Sequence, residues 1–475
     1  TEWLGIKYAT AKRWEYPQTV KKWDGVFDAT YFKECAIQHR AFLDDAKVNA
    51  FYHNEFRKGL EFTYSEDCLF LNIYAPKNAK DCPVFIYIHG GSFTGGSSNE
   101  AHINGTNFAK NGVIFVSLNY RLNAFGFCSH PDITNDEGVC GNFGLYDQVS
   151  AIEWIRDNIA SFGGDKNKIT VAGQSAGAMS VDILISSPLC KNWFQGAIMM
   201  SGGGIQRDVA KPLDKEKTRA FWDEIIKYAD CKNIEQLKEV DKEVLWRAWD
   251  RACKENNPKT MLYTMPIYDG KLLTKDTFKM NNIPSLPKII GITQTDMFPI
   301  ILKQICKKWV KCDKNSKCFL YCFARDLPGD KNGAWHSSDL LYAFSTLDKN
   351  WRPFEDIDYT ISNQIAKSFI AFDGNGRLTG ARTAQTAPYD RYTCHLCGSA
   401  LRYHPQYDTE RPWFEHTDDR LTEHGQQCPY VRPERREIQL IKRLQQFVPD
   451  ALPVVRKASR HLSLIHISEP TRPLY

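Results

Sequence analysis

The chain reads as an α/β protein, a mostly parallel sheet flanked by helices, and three observations predict this. PVFIYIHGG (83–91) and VIFVSLNY (113–120) are unbroken apolar, β-branched runs, the composition of strands buried on both faces. Segments with helical spacing fall between such runs, so strand and helix signals alternate. The 475 residues, 43% hydrophobic and 13% aromatic, suffice for one large domain of roughly 250 to 350 residues plus a smaller one.

The elements follow in order. After the first two strands, GLYDQVSAIEWIRDNIASFGG (144–164) places apolar residues at helical spacing and stops on Gly163 and Gly164, a C-terminal cap signature. KITVAG (168–173), FQGAIMMSGG (194–203), PKIIGIT (287–293) and KCFLYCFAR (317–325) supply further strands. Helices are expected over 215–229 and 234–251. The pattern contains no internal repeat.

Composition divides the chain a second way. Residues 1–376 hold 35 Lys and 11 Arg, whereas 377–475 hold 2 Lys and 13 Arg. Both side chains are cations, so charge alone does not require the exchange; a different genomic origin or module ancestry for the two stretches is the simpler reading. The expected layout is an α/β domain over 1–376, a module over 377–462 and a tail over 463–475 that fits neither.

KITVAGQSAGAMSV (168–181) sets a serine in G-x-S-x-G directly between a strand and a helix. Glycines there permit a tight, strained turn that lifts the hydroxyl clear of the backbone, the geometry of a nucleophile elbow. The motif alone is equally an ordinary Gly-rich turn, and the flanking strand and helix distinguish the two. A serine needs a base to take its proton and donors in place for the oxyanion. IHGGSF (88–93), at the end of an upstream strand, suits the second role, with the amides of Gly91, Ser92 and Ala176 as donors; HGG is otherwise simply a tight turn. His336, in GAWHSSDLLYAF, is the one histidine between the serine and the compositional boundary, which makes it the candidate base. Asp296, just past PKIIGIT, is the candidate acid, or else a solvated loop carboxylate.

SEDCLFLNIYAP (65–76), IHGGSF, NYRLNAFGF, GNFGLYDQVSAIEWIRDNIASFGGD (141–165), GQSAGAMSV and GAWHSSDLLYAF occur in this order, and with them residues 3–376 resemble the type-B carboxylesterase family, which includes the cholinesterases. The resemblance implies an α/β-hydrolase fold and a serine hydrolase that cleaves small carboxylic esters through an acyl-enzyme, with no cofactor for hydrolysis. It implies Ser175 as nucleophile, Asp296 as acid, His336 as base, and the amides of Gly91, Ser92 and Ala176 as the oxyanion hole. It also implies buried ion pairs of Arg13 with Glu66 and Arg121 with Asp165, and puts Cys35 and Cys68 where many secreted relatives form a disulfide; in a reducing compartment both are thiols. Three departures stand out. The chain starts near the end of the family's first edge strands. Position 174 is Gln where many animal esterases have Glu. Asp296 and His336 lie 40 positions apart, fewer than in larger relatives, which implies a shallower, more open pocket.

In the last hundred residues, YTCHLCGSALRYHP contains C-x-x-C, and Cys394, Cys397, His416 or His424, and Cys428 form a candidate tetrahedral zinc set, against the alternative of reduced cysteines on a loop. This stretch resembles the zinc-ribbon modules of competence-protein-like nucleases. Its 15 cations against 11 acids, net +4, allow nucleic-acid contact through this segment, although solvated surface charge explains them equally. SLIHISEPTRPLY (463–475) resembles a translated sequencing adapter, so the expectation is a chimeric sequence: a truncated esterase frame joined to foreign sequence.

Several classes are excluded or disfavoured. No apolar run reaches the roughly 18 residues that span a bilayer, so no membrane partner is expected. A net charge of +5 over the whole chain is too dilute to call for nucleic acid. Fifteen scattered cysteines do not make a disulfide scaffold. TEWLGIKYATAKRW has no export-signal pattern, which favours the cytoplasm, but it reads like a domain interior, so a preceding segment is expected and the compartment stays open. Besides the hydrolase, a non-catalytic binding protein on the same fold is the rival reading; the joint presence of serine, acid and histidine argues against it.

Overall fold

The computed structural model describes residues 1–256, 264–279, 282–312, 318–370, 392–393, 400–404 and 413–416. The chain falls into two compact units. Counting only the described residues, the first lies within Thr1–Leu340 and Asp348–Pro353 and the second within Leu341–Leu347 and Phe354–Ile465. The expected boundary after Gly376 lies outside the described residues.

The first unit is built on eight strands: β1 (Glu2–Lys7), β2 (Phe70–Tyr74), β3 (Cys82–Ile88), β4 (Ile114–Leu118), β5 (Gly164–Gln174), β6 (Gly196–Met200), β7 (Lys288–Thr293) and β8 (Cys318–Phe323). They order as β1-β2-β4-β3-β5-β6-β7-β8. The pairs β1/β2 and β2/β4 are antiparallel and every later pair is parallel. The runs read from sequence as doubly buried strands are so: all five residues of β4 and the last five of β3 are buried. The two antiparallel pairs at the β1 edge are an addition to that reading. The register between β1 and β2 shifts between Trp3 and Ile6, the stretch that contains Gly5 at positive φ.

The helices that matter for the site are α1 (Ala50–Phe56), α2 (Phe143–Asn158), α3 (Ala176–Ser186), α4 (Arg219–Tyr228), α5 (Lys242–Glu255), α6 (Pro299–Cys312) and α7 (Asp339–Ala343). α3 is buried from Ala176 to Ile185. The helix expected over 234–251 is two. A short one ends at Glu239, and Asp241 caps α5 by accepting from the Glu243 amide at 2.7 Å. The helix expected over 215–229 begins as a 3-10 turn and becomes α4 only at Arg219.

One predicted ion pair holds and one does not. Arg13 Nε lies 3.0 Å from Glu66 Oε2, so the pair forms as expected, but it is half-buried rather than buried. Arg121 is paired not with Asp165 but with Asp147 of α2, Nη2 to Oδ1 at 2.7 Å and Nε to Oδ2 at 2.8 Å, both side chains buried. Asp165 sits where β5 begins and faces Lys168 at 3.3 Å. Cys35 and Cys68 are buried free thiols, and Cys35 Sγ shares a hydrogen bond with Ser97 Oγ at 2.9 Å.

In the second unit, α8 (Asp356–Ile370) is followed by an antiparallel sheet of β9 (Tyr392–Thr393), β10 (Ala400–His404) and β11 (Trp413–His416), in that order. Of the candidate zinc ligands, His416 ends β11. Cys394, Cys397, His424 and Cys428 lie outside the described residues, as does the tail from Ser463. Among the described residues no cluster of three metal-binding side chains occurs, and no helix is long and apolar enough to cross a membrane.

Candidate active site

Ser175 sits at the corner between β5 and α3 with φ 56° and ψ −122°, a left-handed region that a serine enters only under strain. The surroundings hold it there. Its amide donates to Met200 O at 2.8 Å and its carbonyl accepts from the Met179 amide at 3.0 Å. Both elbow glycines are obligatory: a Cβ on Gly173 would collide with the Gly177 carbonyl, and one on Gly177 with the Ile88 carbonyl.

The HGG loop is built just as tightly. His89 Nδ1 donates to Gly90 O at 2.8 Å, and its ring stacks on Tyr120 with centroids 4.5 Å apart. Burial holds this imidazole down at about 4, so it serves as a neutral strut. Gly91, Ser92 and Phe93 all have positive φ, and a Cβ on Gly91 would strike the Gly95 carbonyl. Gly91 and Ser92 line the same pocket as Ser175. Ala176 opens α3, where a first-turn amide has no acceptor within the helix.

His336 and Asp296 meet across 40 positions. A bridge between Thr295 and Trp335, with the Thr295 amide donating to Ala334 O at 3.1 Å, ties the two loops together. His336 Nδ1 then lies 2.6 Å from Asp296 Oδ1. Asp296 also accepts from the Met297 amide at 2.8 Å and the Thr293 amide at 3.1 Å. Burial pushes this carboxyl up, but hydrogen bonds from His336 and Thr293 and the charge of His336 prevail and hold it below its ordinary value. His336 and Ser175 line one pocket of about 430 Å³. Among the described residues no hydrogen bond joins the Ser175 hydroxyl to the imidazole; His336 Nε2 faces Gln174 Nε2 at 3.1 Å.

Sequence reasoning missed two features. The pocket lining carries an ionic cluster in which Glu100 Oε1 meets Arg57 Nε at 2.8 Å and Arg40 Nη1 at 3.2 Å. Burial pushes Glu100 up, but the two guanidiniums outweigh it and bring the carboxyl down to about 2. These residues sit in unrelated segments, and no spacing announces them. The second is Asp339, three residues past His336 and 1% exposed, which accepts from Tyr321 Oη at 2.7 Å. Its spacing from the histidine in HSSD was the available signal.

Burial, reinforced by the charge of Asp296, raises Asp339 to about 6, against the ordinary 3.8. The folded state therefore keeps this proton over a window in which the unfolded chain has released it. The resulting stability is complete below about 3.8 and is lost as pH rises through about 6. Asp339→Asn keeps an acceptor for Tyr321 and removes the buried charge. Thermal unfolding should show the variant more stable than the parent at pH 7.5, by about 1 to 3 kcal/mol, and no more stable at pH 4. Equal gains at both pH values would refute this account.

A model described as "Carboxylesterase family" matches residues 1–308, and one described as "Domain of unknown function (DUF7828)" matches residues 365–450. The chain belongs to the carboxylesterase family. It is 34% identical over 307 residues to a para-nitrobenzyl esterase of Bacillus subtilis (strain 168), a match spanning 62% of this chain and 59% of that protein. It is 36% identical over 218 residues to a fumonisin B1 esterase of Sphingopyxis macrogoltabida, spanning 44% of this chain and 37% of that one. A bile salt-activated lipase of Mus musculus is 35% identical over 314 residues, spanning 62% and 48%. The chain thus spans between about a third and three-fifths of the length of these relatives. Among solved structures, a PNB esterase superposes with a TM-score of 0.69 at 26% identity, covering 80% of this chain and 88% of that one. The fold of this carboxylesterase-family chain is accordingly that of an α/β-hydrolase.

Proposed function

We propose that the chain hydrolyses small carboxylic esters through a serine-bound acyl intermediate. The observation that carries this reading is the convergence on one pocket of a hydroxyl on a strained elbow and an imidazole bonded at 2.6 Å to a buried carboxylate. In this reading His336 Nε2 takes the proton of Ser175 Oγ as that oxygen bonds to the ester carbonyl carbon. Asp296 orients the ring and stabilises its cation. The amides of Gly91, Ser92 and Ala176 donate to the oxyanion, each worth a factor on the order of 10² to 10³ in rate. Collapse of the tetrahedral adduct breaks the bond to the alcohol oxygen, which leaves with the proton held on Nε2. Water then repeats the sequence on the acyl-enzyme: Nε2 takes its proton, and Ser175 Oγ regains one as the acid departs.

The esterase names of the relatives, and the para-nitrobenzyl and fumonisin B1 esters in two of them, support an ester substrate. The test is a fluorophosphonate label followed by peptide mapping. The adduct is expected on the peptide containing Ser175, and p-nitrophenyl butyrate hydrolysis should fall in step with labelling. A label elsewhere, or turnover that survives complete labelling, would overturn the assignment.

A structural zinc on Cys394, Cys397, His416 and Cys428, in a module of separate ancestry, remains a proposal supported by the sequence pattern alone. Less than about one zinc per purified chain would remove it.

A further inference from the structure

Gln174 precedes the elbow serine and is 3% exposed, so its amide must find partners inside the protein. Its Nε2 lies 3.1 Å from His336 Nε2. Asp296 is an ionised carboxylate and only accepts, so His336 Nδ1, 2.6 Å away, carries the hydrogen. In a neutral imidazole the other nitrogen is then a bare acceptor, and only the N–H side of the Gln174 amide satisfies it. The nitrogen that must receive the serine proton is therefore occupied, in the resting protein, by a neutral donor.

We propose that Gln174 is a positioning residue for hydrolysis: its side-chain N–H holds His336 Nε2 as an unprotonated acceptor beside Ser175 until an ester enters the pocket. This deepens the function proposed above and rests on it. Protonating Nε2 would aim its N–H at the N–H of the amide, so Gln174 disfavours the imidazolium while the site is empty of substrate. Other groups act on the ring from several directions. Asp296 faces Nδ1. Asp339, on α7, which accepts from Tyr321 of β8, interacts with the ring through its charge. Tyr52 of α1 places its Oη 3.5 Å from the His336 carbonyl. Arg40, Arg57, Glu100, His89 and His102 line the same pocket. The carboxylates among these favour the cation, and Gln174 opposes them at the reacting nitrogen itself. Glutamate at this position would do the reverse, because a carboxylate at Nε2 is best satisfied by an imidazolium that donates from both nitrogens.

The test is the pH dependence of fluorophosphonate labelling at Ser175, followed on the full chain and on Gln174→Met and Gln174→Glu. Methionine keeps the length and lacks the donor. Its acid-side half-maximum should move up by about half a pH unit, the equivalent of one lost neutral hydrogen bond. Glutamate should move it up by about one unit or more. A side chain with a merely structural role would lower labelling equally at every pH and leave the half-maximum in place. Coincident half-maxima in the parent and the methionine variant would overturn the proposal, and this comparison stands alone if the glutamate variant does not fold. Normal labelling with unmoved half-maxima would remove the role of Gln174 and leave the hydrolase reading intact. No label on Ser175 of the parent at any pH would remove both.

Discussion

Replacing Ser175 with alanine is expected to abolish all ester turnover except the small remainder that the oxyanion amides and binding supply, while leaving the fold in place. Removing the nucleophile of a serine hydrolase costs on the order of 10⁶-fold in kcat, about 8 kcal/mol of transition-state stabilisation. Ser92 and Ser337 also line the pocket at positive φ, but Ser175 is the one of the three at the corner between a strand and a buried helix. The stability of the variant should barely change. Its backbone keeps φ 56°, as unfavourable for alanine as for serine, and the two hydrogen bonds that hold the corner, to Met200 and from Met179, are made by the main chain. The measurement pairs p-nitrophenyl butyrate turnover with thermal unfolding. Turnover within a factor of ten of the parent would show that another group attacks the ester. A collapsed melting temperature would show that the hydroxyl supports the elbow.

The elbow was legible in sequence because its requirements are local. A strand, two glycines that no Cβ can replace, and a helix follow one another within 19 residues, from Lys168 to Ser186. The histidine was legible by elimination and the acid by its place just past a strand. The partner of Arg121 was misread for a physical reason. Asp165 was assigned by the family resemblance, but pairing is decided by which face of an element points inward. Asp147 lies four residues from both Phe143 and Ala151, which are buried on α2, so helical spacing already set it on the inward face. Contacts such as Gln174 with His336, and the Arg40, Arg57 and Glu100 cluster, join segments that only the folded sheet brings together, and no local pattern encodes them.

The largest loss of stability from a single side chain outside the elbow is expected at Glu55. It sits on α1, and its carboxylate receives Arg352 Nη2 at 2.7 Å and Nε at 3.0 Å, across 297 positions, with both side chains buried. Trp351 Nε1 at 3.1 Å and Asn350 Nδ2 at 3.1 Å donate to the same group. One carboxylate thus satisfies three neighbours and pins α1 to the 350–352 segment. Glu55→Gln removes the charge while keeping the shape, leaving a buried guanidinium with Asp330 as its remaining acidic partner. Breaking a buried pair from one side costs about 3 to 5 kcal/mol, chiefly the desolvation of the charge left behind. If that is the cause, adding Arg352→Met to the Glu55→Gln variant should recover stability rather than lose more, because it removes the stranded cation. Urea unfolding of the two single variants and the double variant separates the cases, and additive losses would refute the mechanism. The effect reaches function as well, since α1 and the residue after it carry Tyr52, Phe56 and Arg57 into the pocket wall. Loosening α1 should therefore raise KM for bulky esters more than it lowers kcat for small ones, a pattern that global unfolding, which removes active molecules without regard to substrate, does not produce.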